Sequence, residues 1–102
     1  LQVGSIILDE SAHIVTVDGD TIDLTPIEFD LLVALMSSPG QVFTRAQLVD
    51  QLYDSGFAGL ERTLNVHIRN LRTKIENDPG NPTYIETVFG VGYRFHKPQG
   101  ET

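Results

Sequence analysis

The sequence predicts an α+β domain: an N-terminal antiparallel β-meander, three helices and a C-terminal β-hairpin. β-branched runs crowd the first quarter of the chain and return near its end, as strands do. Thr25-Pro26-Ile27-Glu28 and Thr44-Arg45-Ala46-Gln47 have the form of capping boxes and so open helices. Over 60–76, Leu64, Ile68, Leu71 and Ile75 recur at helical spacing and fall in one narrow sector at about 100° per residue, the stripe of a helix lying on a core. A chain of 102 residues is a single domain, 1–102, with one modest core.

In order, residues 3–8 and 13–17 are β-branched runs and 21–24 alternates polar with apolar, so the sheet region, taken as four strands, covers about 3–24. Asp18-Gly19-Asp20 reads as the turn before its last strand; the two Asp suggest calcium, but the EF-hand spacing is missing. Thr25 caps a helix over about 26–37, with Pro26 at its first position and Glu28 completing the box. Phe29, Leu31, Leu32, Leu35 and Met36 make that helix apolar on more than one side, and Ser38-Pro39-Gly40 ends it. Residues 41–43 add a short strand. The second helix runs over about 45–53 with Leu48, Val49 and Leu52 inward. Arg45 in its first turn either meets an approaching anion such as a phosphate or is a solvated surface Arg.

Residues 54–59 form a loop containing Phe57, and the third helix covers about 60–77 until Asn77-Asp78-Pro79-Gly80 stops it. Strands at 83–89 and 93–96, joined by Gly90-Val91-Gly92, make a hairpin over about 83–96, and the polar tail frays.

The charge is uneven. The net of −7 arises wholly within residues 1–44, which hold seven acids and no Lys or Arg, whereas residues 45–102 hold seven of each. Within 62–74, Arg62, Arg69, Arg72 and Lys74 stand with no Asp or Glu among them. There is no long apolar run or charged leader, and no Cys, so nothing spans a membrane and no thiolate metal site exists. The expected compartment is the cytoplasm, and the start at Leu1 rather than Met suggests a piece of something longer. His13, His67 and His96 have no paired ligand spacing, and no catalytic motif is present, so neither an enzyme nor a metal or cofactor is expected.

Away from its apolar stripe, the third helix carries Arg62, Val66, Arg69, Asn70 and Thr73, with Arg72 and Lys74 on the flanks. Arg, Asn and Thr can read base edges, Val66 can touch a thymine methyl, and Arg and Lys neutralise phosphates. A solvated amphipathic helix would have a similar composition. The acidic N-terminal part argues against DNA unless it lies beyond the Debye length of about 8 Å from the contact.

The motifs LTPIEFDLL, VFTRAQL, ERTLNVHIRNLR with KI after it, and ETVFGVGYRF, taken together and in this order, resemble the winged helix-turn-helix effector domain of OmpR/PhoB-type bacterial response regulators. The resemblance covers about residues 3–95. It implies a transcription factor of a two-component system that binds double-stranded DNA sequence-specifically, its third helix in the major groove and its hairpin as the wing. Thr63, Asn65, Val66, Arg69 and Asn70 would face bases. Arg45, Tyr53, Arg62, His67, Arg72, Lys74, Thr87 and Tyr93 would grip phosphates, and Phe89, Gly90 and Arg94 would form the wing's contact. Asp54, Ser55, Gly56, Phe57, Ala58 and Gly59 would match a loop that meets RNA polymerase. A receiver domain would precede Leu1, and binding would be as a homodimer on direct repeats. Phe89 replaces the Arg that many members carry and cannot donate to bases; it either wedges into the minor groove or packs. Asn70 stands where a second Arg often follows the first, which opens adenine recognition and removes one cationic contact. The alternative is a winged-helix protein-interaction module that no longer binds DNA. If about four cations met phosphates, log affinity would fall against log salt with a slope of about −3.6.

Overall fold

The β-branched N-terminus forms a four-stranded antiparallel sheet in the computed structural model, which describes residues 1–53 and 61–97 apart from the side chains at 53, 61 and 62. Its strands are β1 (Gln2–Val3), β2 (Ile6–Asp9), β3 (Ile14–Val17) and β4 (Asp20–Ile22), paired in chain order. The single strand expected over 3–8 is two, because Gly4 at φ 57 turns the chain so that Val3 pairs with Ile6. The hairpin joining β3 to β4 is an Asp-Gly turn with both central residues at positive φ, Asp18 at 52 and Gly19 at 84, the twist that favours a two-residue connection. Ile6, Leu8 and Val15 point inward and are buried, while Ile7 and Ile14 face out.

Helix α1 (Pro26–Met36) has the complete capping box: Glu28 N–H donates to Thr25 Oγ1 at 3.2 Å, and Thr25 N–H donates to Glu28 Oε1 at 3.0 Å. Phe29, Leu31, Leu32, Leu35 and Met36 are all buried, so α1 is the centre of the core. Thr44 and Gln47 make the second box, with bonds of 2.8 and 3.0 Å, at the start of α2 (Arg45–Tyr53). Helix α3 (Glu61–Ile75) buries Leu64, Ile68, Leu71 and Ile75, the stripe read from the sequence.

The second sheet has three strands. Strand β5 (Val42–Thr44) leads directly into α2, and β6 (Ile85–Val88) and β7 (Gly92–Phe95) form the hairpin. Their order is β5-β7-β6, so the hairpin is the outer two-thirds of a sheet whose first strand precedes both later helices. The first hairpin strand is shorter than expected, and the second has the expected length but begins one residue earlier. The turn is 88–91, closed by Val91 N–H to Val88 O at 3.0 Å with Gly90 at φ 78, and Gly92 lies in β7. Thr44 pairs with Gly92, where a Cβ would run into the Phe43 carbonyl, so no side chain fits without moving one strand.

Candidate nucleic-acid interface

The side of α3 opposite its buried stripe is exposed at Asn65, Val66, Arg69, Asn70 and Thr73, and Val66 keeps 49% of its surface. Thr63 is exposed, and His67 on the flank is half-buried. Arg69 makes no side-chain hydrogen bond or ion pair to another described residue. The expected base-reading residues therefore stand together on a rigid helix with its back against the core.

Beside them lies a polar cluster assembled from three elements. Tyr93 on β7 is 4% exposed and donates its hydroxyl to Asn65 Oδ1 at 2.6 Å. Arg45, the first residue of α2, donates Nε to the same oxygen at 3.4 Å, and its guanidinium lies 5.2 Å from the Tyr93 ring centroid. Arg72 approaches the same ring at 5.6 Å. Cations near a tyrosine face are attracted by its quadrupole, so Tyr93 organises both arginines. The register Thr44↔Gly92 makes this possible by setting the start of α2 beside Tyr93.

Two cations expected on phosphates are committed inside the molecule. Arg72 donates Nε and Nη2 to Ile85 O at 3.2 and 2.8 Å and Nη2 to Thr87 Oγ1 at 2.8 Å, so it fastens β6 to α3. Burial draws its basicity below the ordinary value, and Tyr93 and Glu76 draw it back up. Lys74, on the other flank, pairs at 2.5 Å with Glu28, whose side chain is 3% exposed. A buried carboxylate that also caps α1 holds its cation strongly, because separation would leave the charge uncompensated. Periodicity places both residues on the flanks of α3 but does not show which element faces each flank. Of the other expected phosphate contacts, Arg45 is half-buried and Tyr93 buried, and both hydrogen-bond to Asn65. Thr87 lies on β6 beneath Arg72. The side chains of Tyr53 and Arg62 and the whole of the loop 54–60 lie outside what the structure describes, and so do the expectations placed on them.

At the wing, Phe89 is 91% exposed at the turn with Gly90 beside it, so it does not pack on its own domain. Arg94 is turned back along the sheet to Glu86 at 2.8 Å, which holds that carboxylate below its ordinary range.

Glu76 is a positioning residue that the sequence reading leaves as the end of a helix. Its buried carboxylate accepts the backbone N–H groups of Thr83, Tyr84 and Ile85 at 2.9 to 3.1 Å, tying the start of β6 to the end of α3. An acid after a helix's basic last turn, ahead of a Pro-rich break, is the one signal that could have raised it. Gly92 is the other, and its requirement comes from a strand pairing no local pattern announces.

Among the described residues no group of side chains could hold a metal, and no helix is long and apolar enough to cross a membrane. Residues 19–95 match the family described as transcriptional regulatory protein, C terminal. The chain is 48% identical over 98 residues to the DNA-binding response regulator MtrA of Mycobacterium tuberculosis, covering 96% of this chain and 43% of that protein. It thus spans less than half the length of that relative. The response regulator DrrB of Thermotoga maritima, an OmpR/PhoB homologue, superposes with a TM-score of 0.86 at 32% identity over 95% of this chain and 44% of that one. The Klebsiella pneumoniae RstA DNA-binding domain, solved in complex with the RstA box, superposes with a TM-score of 0.83 at 30% identity over 94% and 95% of the two chains.

Proposed function

The chain belongs to the family of C-terminal DNA-binding domains of OmpR/PhoB-type response regulators, and from that membership we propose that it binds double-stranded DNA sequence-specifically, with α3 in the major groove and the β6–β7 hairpin as wing. The observation that carries this reading is the exposed row Asn65, Val66, Arg69, Asn70 and Thr73 on a helix whose opposite stripe is core. A major groove about 12 Å wide admits one such helix. The likeness to the RstA DNA-binding domain, solved in complex with the RstA box, supports DNA binding.

The rest of the proposal concerns the longer protein. A receiver domain ahead of this chain would control it, two copies would bind direct-repeat half-sites, and the loop 54–60 would meet RNA polymerase. The share of MtrA that this chain spans leaves room for the receiver. At the wing, Phe89 would enter or lie along the minor groove as an apolar side chain, reading width and step flexibility rather than base acceptors.

With Arg72 and Lys74 committed within the fold, fewer cations remain for phosphates. We expect the slope of log affinity against log salt to be about −2 rather than −3.6. The deciding experiment is selection from random duplexes followed by titration of the enriched site in rising salt. Enrichment of one motif with a negative slope supports the reading; no enrichment, or a slope near zero, overturns it in favour of a protein-interaction module.

A further inference from the structure

Asn side chains that read DNA usually face adenine, using the amide oxygen to accept from N6 and the amide nitrogen to donate to N7. Asn65 is placed differently. Its Oδ1 accepts from the Tyr93 hydroxyl at 2.6 Å and from Arg45 Nε at 3.4 Å, which occupies both lone pairs. The orientation of the amide follows from the partners. Arg45 Nε carries a hydrogen and has nothing to accept with, so turning the amide over would set one N–H against another. Freeing the oxygen for a base would strip the hydroxyl of a residue only 4% exposed of its acceptor. Asn65 itself is exposed, so what it offers outward is the Nδ2 amine.

Resting on the DNA-binding reading above, we infer that Asn65 reads its base as a hydrogen-bond donor only, with Tyr93 and Arg45 as the positioning residues that fix this polarity. The base beneath it presents acceptors in the major groove without a donor that needs an answer. Guanine, with N7 and O6 side by side, fits best, thymine O4 fits second, and adenine is disfavoured because its N6 amine meets no acceptor. Asn70, on the other side of the front, has no such restraint among the described residues and keeps both amide atoms for adenine. The same residue type on one helix thus reads two different edges.

The test is selection from random duplexes with the wild-type chain and with Asn65→Ala and Tyr93→Phe. Asn65→Ala identifies the position, because the preference there disappears. At that position the wild type should favour guanine over adenine by about tenfold. Tyr93→Phe keeps the ring on which both arginines stack and removes the hydroxyl alone, so the ratio should fall to within about threefold as adenine gains an acceptor. A wild-type preference for adenine, or an unchanged ratio in Tyr93→Phe, overturns the inference. If no motif is enriched, it is the DNA-binding reading that fails, and the polarity of Asn65 is then decided on the free protein by NMR. The side-chain carbonyl carbon of Asn65 should move on Tyr93→Phe if the hydroxyl is bound to it, and an unmoved resonance overturns the inference without any DNA.

Discussion

The four-stranded sheet links neighbours in chain order through tight turns, whereas the three-stranded sheet joins Phe43 to Tyr93 and so brings together two parts of the chain separated by both later helices. The turns of the first sheet are set by its own residues: Gly4, His13, Asp18 and Gly19 supply the positive φ values, and Asp9 ties its own turn through Ser11 and Ala12. The second is held by residues that belong elsewhere. Arg72 of α3 fastens β6, Glu76 anchors its start, and Gly92 admits β5. The candidate DNA-contact side chains lie with the second sheet. A surface assembled from distant elements can fix the orientation of one side chain, as Asn65 is fixed by α2 and β7. The first sheet is tied to the second at one turn, where the Ser5 and Tyr84 hydroxyls hydrogen-bond at 2.7 Å, but its own turns are set within the meander.

Gly92→Ala breaks the second sheet most directly. The new methyl meets backbone at Phe43 rather than a flexible side chain, so it should cost about 3 kcal/mol, the top of the range for overpacking. It should also disrupt the Arg45–Asn65–Tyr93 cluster. Urea unfolding together with amide exchange in β5 and β7 measures this; a loss below about 0.5 kcal/mol would show that the pairing tolerates a side chain.

This contrast also explains what could be read from the sequence. The capping boxes at Thr25 and Thr44, the stripe on α3 and the Asp-Gly turn are patterns completed within a few residues, and each appears where its chemistry points. The split of the first strand at Gly4 was visible in principle, since a glycine inside a β-branched run marks a break. The partners of Arg72, Lys74 and Asn65 were not visible, because each lies on another element and periodicity gives a direction without a neighbour. For the same reason four cations near one helix front overstated the charge available to a phosphate backbone.

Arg72→Ala tests whether the wing depends on α3. Charge-assisted hydrogen bonds to Ile85 O and Thr87 are lost at a half-buried site, at a cost of about 1 to 2 kcal/mol. Exchange protection should fall in β6 and stay unchanged in β1–β4. Binding should weaken for all sequences alike through a displaced wing, and uniform loss of protection across both sheets would refute the division.

Gly19→Ala is the matching change in the first sheet. Its φ of 84 strains any other residue while nothing stands within 4 Å of the added methyl, so the cost should be about 1 kcal/mol from backbone strain alone. Affinity for a selected duplex should not change. A measurable loss of affinity would mean that the first sheet helps shape the contact surface.

The smallest effect separates the sheets by titration. Each holds one carboxylate below its ordinary value: Asp9 through the Ala12 N–H and the Ser11 hydroxyl, and Glu86 through its hydrogen bond from Arg94. A carboxyl whose folded value is depressed binds its proton later in the folded state than in the unfolded one. Its stabilising contribution is therefore complete above the ordinary value and is lost as pH falls through the folded one. For Glu86 the contribution is intact above about pH 4.5, its ordinary value, and fades below it. Carbon-detected NMR of the carboxyl groups reads both sites at once. Ser11→Ala should raise Asp9 and leave Glu86 in place, because the restraint is local to one turn. Arg94→Met should raise Glu86 and leave Asp9 in place, because that restraint crosses from β7 to β6. If either substitution moved both carboxylates, the sheets would be electrostatically coupled, and the acids of the N-terminal part would then act on the interface rather than merely adding to the net charge.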